Sequence, residues 1–102
     1  MRDNHLFLSK NQKDYLMPGK MSESHFWLLI EISPIHSEKI ILALKDFLVM
    51  GYSRREVCER HKISSGYFSG AIGRFQRVNA AVIQLIPFYI QIKSLTHLSN
   101  AD

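Results

Sequence analysis

The sequence predicts an all-α fold, a small helical bundle containing a helix-turn-helix, and three observations predict its helical class. Apolar residues recur at spacings of three and four over 37–50 and again over 64–86, the period of one helix face. Serines stand where helix N-caps are needed, at Ser22, Ser53 and Ser64 or Ser65. The single run that reads equally well as a buried strand, HFWLLI, has no second run to pair with. At 102 residues and 46% hydrophobic the chain holds one domain with a modest core, so association is expected to add stability.

The elements follow in order. Residues 1–20 mix polar residues with isolated Leu6, Phe7, Leu8 and Leu16 and end at Pro18-Gly19, which predicts a mobile N-terminal arm. Ser22 caps a short helix, SESHFWLLIEI, with Phe26-Trp27 read as core. Ser33-Pro34 restarts the chain, the serine able to cap and the proline suited to a first helical position. A helix over 37–50 follows, with Ile40, Ile41, Leu44, Phe47 and Leu48 on its inner face and Gly51 in the stop position. Ser53-Arg54-Arg55-Glu56 is a capping box that opens a helix over 54–61. Ile63 punctuates a short turn, and the next helix is expected to run to about Ile86, where Pro87 ends it. The domain organisation is an arm over 1–20, a helical domain over 21–90 and a tail over 91–102.

The two helices within about 53–78 fit a helix-turn-helix position by position. Val57, Ile63 and Phe68 fall where the motif buries apolar groups, Cys58 sits where the helices approach and a small side chain is needed, and Ala71 or Ile72 completes the inner face. One position departs: the turn usually opens with glycine at positive φ, and here Lys62 or its neighbour must take that conformation.

The motif explains what SSGYFSGAIGRFQR is for. At about 100° per residue, Phe68, Ala71, Ile72, Phe75 and Val78 gather on one side of the helix, while Gly66, Gly70 and Gly73 line the opposite side. Each glycine costs roughly 1 kcal/mol against alanine inside a helix. Arg77 lies on nearly the same line, Arg74 and Tyr67 on one flank, and Ser69 and Gln76 on the other. Such a stripe either admits a close approach to DNA or packs on a helix of another subunit, as small residues allow.

Charge favours the first. Residues 1–53 carry six basic and six acidic side chains, and after 77 Lys93 cancels Asp102. The whole net charge of +4 therefore lies between Arg54 and Arg77, in the segment that also holds the glycines, and points to a polyanion. Arg54 and Arg55 occupy a helix's first turn, where cations are disfavoured by a few tenths to about 1 kcal/mol unless an anion binds. The expected DNA-contacting set is Arg54, Arg55, Cys58, Lys62, Ser65, Gly66, Tyr67, Ser69, Gly70, Arg74 and Arg77. Ser65, Gly66, Tyr67 and Ser69 offer little long-side-chain base readout, so shape or A·T-rich groove readout is expected.

These residues carry a family resemblance. The stretches MSESHF, IHSEKIILALKDFLV, SRREVCE and GYFS make the chain resemble the PapB type of adhesin biosynthesis transcription regulators over roughly 16–89. The resemblance implies helical DNA-binding proteins that act on pilus operon expression, bind A·T-rich repeats of double-stranded DNA through the minor groove and assemble as homo-oligomers. It also places Arg54 and Cys58 of SRREVCE, and Gly66 to Ser69 of GYFS, in the DNA-binding region. The tail after Tyr89 lies outside it.

Other chemistries find little footing. One cysteine excludes an internal disulfide framework and suits a reducing compartment. No apolar run approaches the roughly 18 residues of a membrane span, and the charged N-terminus lacks a signal peptide's apolar region, so a cytoplasmic protein with no membrane partner is expected. Cys58 and His61 suggest half a metal site or a nucleophile with its base, but the sequence offers no second ligand pair and no carboxylate to orient the histidine. His25, His36 and His97 read as solvated or capping residues. No enzyme activity, cofactor, metal or small-molecule substrate is expected. The competing reading is an interaction module that uses the same fold on RNA polymerase or another regulator.

Overall fold

Three serine caps set the starts of three helices. Ser22 Oγ accepts the His25 N–H at 3.2 Å, Ser37 Oγ the Ile40 N–H at 3.3 Å and Ser53 Oγ the Glu56 N–H at 3.1 Å. They open α1 (Glu23–Ile32), α2 (Glu38–Leu48) and α3 (Arg54–His61), which are followed by α4 (Ser65–Ala101). The computed structural model describes residues 16–101, with side chains as far as Ile90. The described residues are all-α, as the sequence predicts, and none of their helices is long and apolar enough to cross a membrane.

α2 and α4 each pack against every other helix, which makes them the axis of the bundle. Phe26 and Leu29 of α1, Ile40, Ala43, Leu44, Phe47 and Leu48 of α2, Val57 of α3, and Phe68, Ala71, Ile72 and Phe75 of α4 form one buried cluster. Phe75 stacks on Phe26 with ring centroids 5.7 Å apart, and Phe68 meets the ring of Phe47 edge-on at 5.6 Å. Burying each of these large side chains contributes about 1.5–3 kcal/mol. The inner faces of α3 and α4 are thereby fixed, and with them the faces turned outward.

Residues 16–20, the end of the expected arm, are tied to the end of α2. Gly19 N–H donates to the Phe47 carbonyl at 3.0 Å, Met21 N–H donates to the Leu48 carbonyl at 3.1 Å, and Leu16 packs on the core. Gly19 and Gly51 both have positive φ, and a β-carbon on Gly19 would stand 3.2 Å from the Gly51 Cα. The two strands of chain touch there because neither has a side chain. Leu6, Phe7, Leu8 and the rest of 1–15 lie outside the described residues, as does the side chain of His97.

Three expectations are corrected. Ser33 does not cap the following helix: it is buried at the end of α1, where its Oγ donates to the Ile30 carbonyl at 2.9 Å and accepts the Ile35 N–H at 3.2 Å. Ser37 takes the cap instead, so Pro34 lies in the connection and not at a helix start. Trp27 is 40% exposed while Phe26 is fully buried, because the step of about 100° from Phe26 carries Trp27 to the edge of the inner face, away from Leu29 and Ile30. Its Nε1 donates to Glu23 at 3.3 Å. Finally, α4 continues through Pro87 to Ala101. The proline removes one N–H and strains the turn before it, but the carbonyl that loses its partner, that of half-buried Ile83, borders the exposed stretch 84–90, from which water can take it up.

Candidate nucleic-acid interface

The start of α3 carries the full capping box, since Glu56 Oε1 also accepts the Ser53 N–H at 2.8 Å. That bond holds the Glu56 carboxyl below its ordinary value. Glu56 is therefore ionised at the positive end of the helix dipole, and it offsets part of the conflict created by Arg54 and Arg55 in the same turn.

Arg54 leaves α3 and reaches α4: its Nη1 donates to Ser69 Oγ at 3.0 Å, and its guanidinium stands 5.9 Å from the Phe47 ring centroid. Arg55 pairs with Glu59 at 3.6 Å, yet the two side chains are 89% and 71% exposed. Such a pair is worth at most about 0.5 kcal/mol and yields readily to another anion. Arg54, Arg55, Cys58 and Ser65 line, with Glu59 and Phe68, a hollow of about 300 Å³ between α3 and the first turn of α4. Cys58 is half-buried against the core, the small residue at the approach of the two helices. Ser64, not Ser65, caps α4 by accepting the Tyr67 N–H at 3.1 Å.

The outward face of α4 is open as the helical wheel predicts. A β-carbon on Gly66 would meet nothing within 4 Å, one on Gly70 would meet only Arg74 Nη1 at 3.9 Å, and one on Gly73 only Arg77 Nη1 at 4.0 Å. Helical side chains lean toward the N-terminus. Arg74 and Arg77 thus lie back over the glycines one turn before them, while Tyr67 projects at 52% exposure. Five expected residues, Arg54, Arg55, Cys58, Ser65 and Ser69, are joined where α3 meets α4. Gly66, Tyr67, Gly70, Arg74 and Arg77 extend that surface along α4. Lys62 stands at the turn, apart from the hollow, with φ 55° and ψ 53°, the left-handed conformation expected at 62 or beside it.

Sequence reasoning missed what lies behind the turn. His61 is oriented by a carboxylate after all: its Nε2 stands 2.8 Å from Asp46 Oδ2, fifteen residues earlier on α2. Arg60 Nε lies 3.4 Å from the same oxygen, and the Arg60 guanidinium stacks 4.3 Å from the Tyr52 ring centroid. Arg60 contributes to the net charge but is spent on the scaffold. Only the departure at Lys62 hinted that something other than glycine holds this turn. No group of three His, Cys, Asp or Glu side chains that could hold a metal occurs among the described residues.

Comparison with known proteins bears on the family and the fold. The family described as adhesin biosynthesis transcription regulatory protein, PapB, matches residues 1–89. The AFA-III adhesin operon regulatory protein of Escherichia coli is 57% identical over 89 residues, 87% of this chain and 88% of that one. The F1845 adhesin operon regulatory protein of the same organism is 63% identical over 73 residues, 72% of this chain and 86% of the relative. The crystal structure of E. coli FocB superposes with a TM-score of 0.72 at 49% identity, covering 84% of this chain and 98% of that chain. The fold, the matched span and these identities together make the chain a member of the adhesin biosynthesis transcription regulatory protein family.

Proposed function

We propose that the chain regulates an adhesin or fimbrial operon by binding double-stranded DNA through α3 and the glycine-bearing start of α4, in a helix-turn-helix. The observation that carries the proposal is the joining of Arg54 to Ser69 beside an outward helix face on which a β-carbon at Gly66 would meet nothing. The net positive charge falls on the same segment. Arg54, Arg55, Lys62, Arg74 and Arg77 contact phosphates and position the protein, while the short side chains at the front of α4 favour reading of A·T-rich shape over base edges. The protein acts in the cytoplasm, where the operon is.

Assembly is the second half of the proposal. Beyond Asn79 the helix exposes Leu85, Ile86, Phe88, Tyr89 and Ile90, each at least 44% exposed. An apolar stretch of this kind marks an interaction surface, here with a second copy of the chain, giving a homodimer at least and larger assemblies on repeated sites.

A salt titration on A·T-rich duplex tests the DNA reading. With about four to six phosphate contacts per protomer, log K falls against log salt with a slope of roughly −4 to −5. Near-zero slope overturns the proposal and leaves the protein-interaction reading in its place.

A further inference from the structure

Lys62 is the sole non-glycine residue with positive φ among the described residues, at a position where helices usually end on glycine. A side chain there disfavours the left-handed conformation, so other contacts must hold it. Three consecutive residues at this point are gripped from α2. Arg60 and His61 share Asp46 Oδ2 at 3.4 and 2.8 Å, and the Lys62 carbonyl accepts Lys39 Nζ at 3.3 Å. The Tyr52 N–H in turn donates to the Asp46 carbonyl at 3.0 Å, and the Tyr52 ring carries the Arg60 guanidinium. The Asp46 and His61 side chains are only 17% and 18% exposed, which shields their contact from the screening that weakens surface pairs.

With Lys62 left-handed, the Ile63 N–H reaches the Cys58 carbonyl at 3.1 Å and α4 can start one residue later at its Ser64 cap. An extended Lys62 would lose that bond and swing α3 against α4, separating Arg54 from Ser69. We infer that Asp46 is a positioning residue for DNA binding: by clamping Arg60 and His61 it holds Lys62 left-handed and so sets the angle at which α3 and α4 present their arginines. The inference rests on the proposed DNA reading, but the clamp itself has a readout that does not.

The experiment is a double-mutant cycle of Asp46→Asn and Lys62→Gly, read by hydrogen exchange at the Ile63 amide and by DNA affinity well below the melting temperature. Asp46→Asn alone should speed Ile63 exchange and weaken DNA binding about fivefold, the scale of one lost favourable contact. In the Lys62→Gly background, where glycine adopts the left-handed conformation without a clamp, the same substitution should change both by less than about twofold. Lys62→Gly by itself removes one cation, a uniform loss that the cycle subtracts. His61→Gln, which keeps the Asp46–Arg60 pair and serves if Asp46→Asn folds poorly, should show the same pattern with smaller changes. Equal losses in both backgrounds would make Asp46 an ordinary stabilising residue and overturn the inference, as would unchanged exchange and affinity in Asp46→Asn. Failure of the DNA reading looks different: the unsubstituted protein would show no salt-dependent binding, while the exchange cycle would still report on the clamp.

Discussion

α4 is one helix with two unlike halves. Its first half contains three glycines, poor helix formers, and yet buries Phe68, Ala71, Ile72 and Phe75. Its second half is apolar, contains Pro87, and leaves Leu85, Ile86, Phe88, Tyr89 and Ile90 in water. Tertiary packing, more than propensity, sustains a helix in a folded protein. The first half therefore tolerates glycines because its inner face is anchored, and its outer face is free to serve a partner that needs bare backbone. The second half has the converse problem, an apolar surface that nothing among the described residues covers.

The largest expected effect tests the anchoring. Phe75→Ala removes a fully buried ring stacked on Phe26 and should cost about 3–5 kcal/mol in a denaturant melt, a large part of a small domain's stability. Phe88→Ala removes a ring of the same size from a 62% exposed position and should leave the melt of the dilute protein nearly unchanged. If the two cost the same, the halves are not different in kind.

Assembly should show the reverse preference. Phe88→Ser together with Tyr89→Ser should weaken self-association at least about a hundredfold, on the basis of roughly 1.5–3 kcal/mol per apolar side chain withdrawn from a buried surface. Sedimentation at tens of micromolar is the measurement. A dimer that survives both changes would move the contact elsewhere.

The third effect concerns charge at the junction of α3 and α4. Arg54→Ala removes the proposed phosphate contact and also the bridge to Ser69, so binding to all DNA sequences should weaken and the salt slope should become shallower by about one unit. Glu56 and its cap remain, and the helix should persist by circular dichroism. Unchanged affinity would put the DNA on another face.

What could be read from the sequence followed from local rules. The capping box, the Ser22 cap, the glycine stop at 51, the glycine stripe and the inner face of α4 all depend on residues within a turn or two of each other. The left-handed turn was legible to within a residue because the motif demands it. What escaped needed the third dimension. Asp46 finds His61 and Arg60 only once α2 and α3 are packed, and Ser33 serves the helix behind it because the Ile30 carbonyl and Ile35 N–H converge there. Pro87 misled for a different reason: a proline's penalty depends on whether water can reach the carbonyl it orphans, and burial is not written in one residue.

The smallest effect separates two uses of the glycine stripe. At Gly70 a β-carbon would touch only Arg74 Nη1, at an ordinary contact distance of 3.9 Å. Gly70→Ala should therefore stabilise the helix by up to about 1 kcal/mol and leave Arg74 where it lies. Gly70→Leu should also stabilise, by several tenths of a kcal/mol or more, but its longer side chain leans over the same face and displaces the Arg74 guanidinium. If the stripe faces DNA, stability and DNA affinity move in opposite directions in the leucine variant, while self-association through the second half of α4 stays as it was. If the stripe is a contact between subunits, leucine breaks the oligomer first and DNA binding falls only as a consequence. Thermal melting, sedimentation and a gel-shift titration on the alanine and leucine variants distinguish these outcomes. A leucine variant that binds DNA normally would mean that neither bare backbone nor the seated arginine is what the first half of α4 offers its partner.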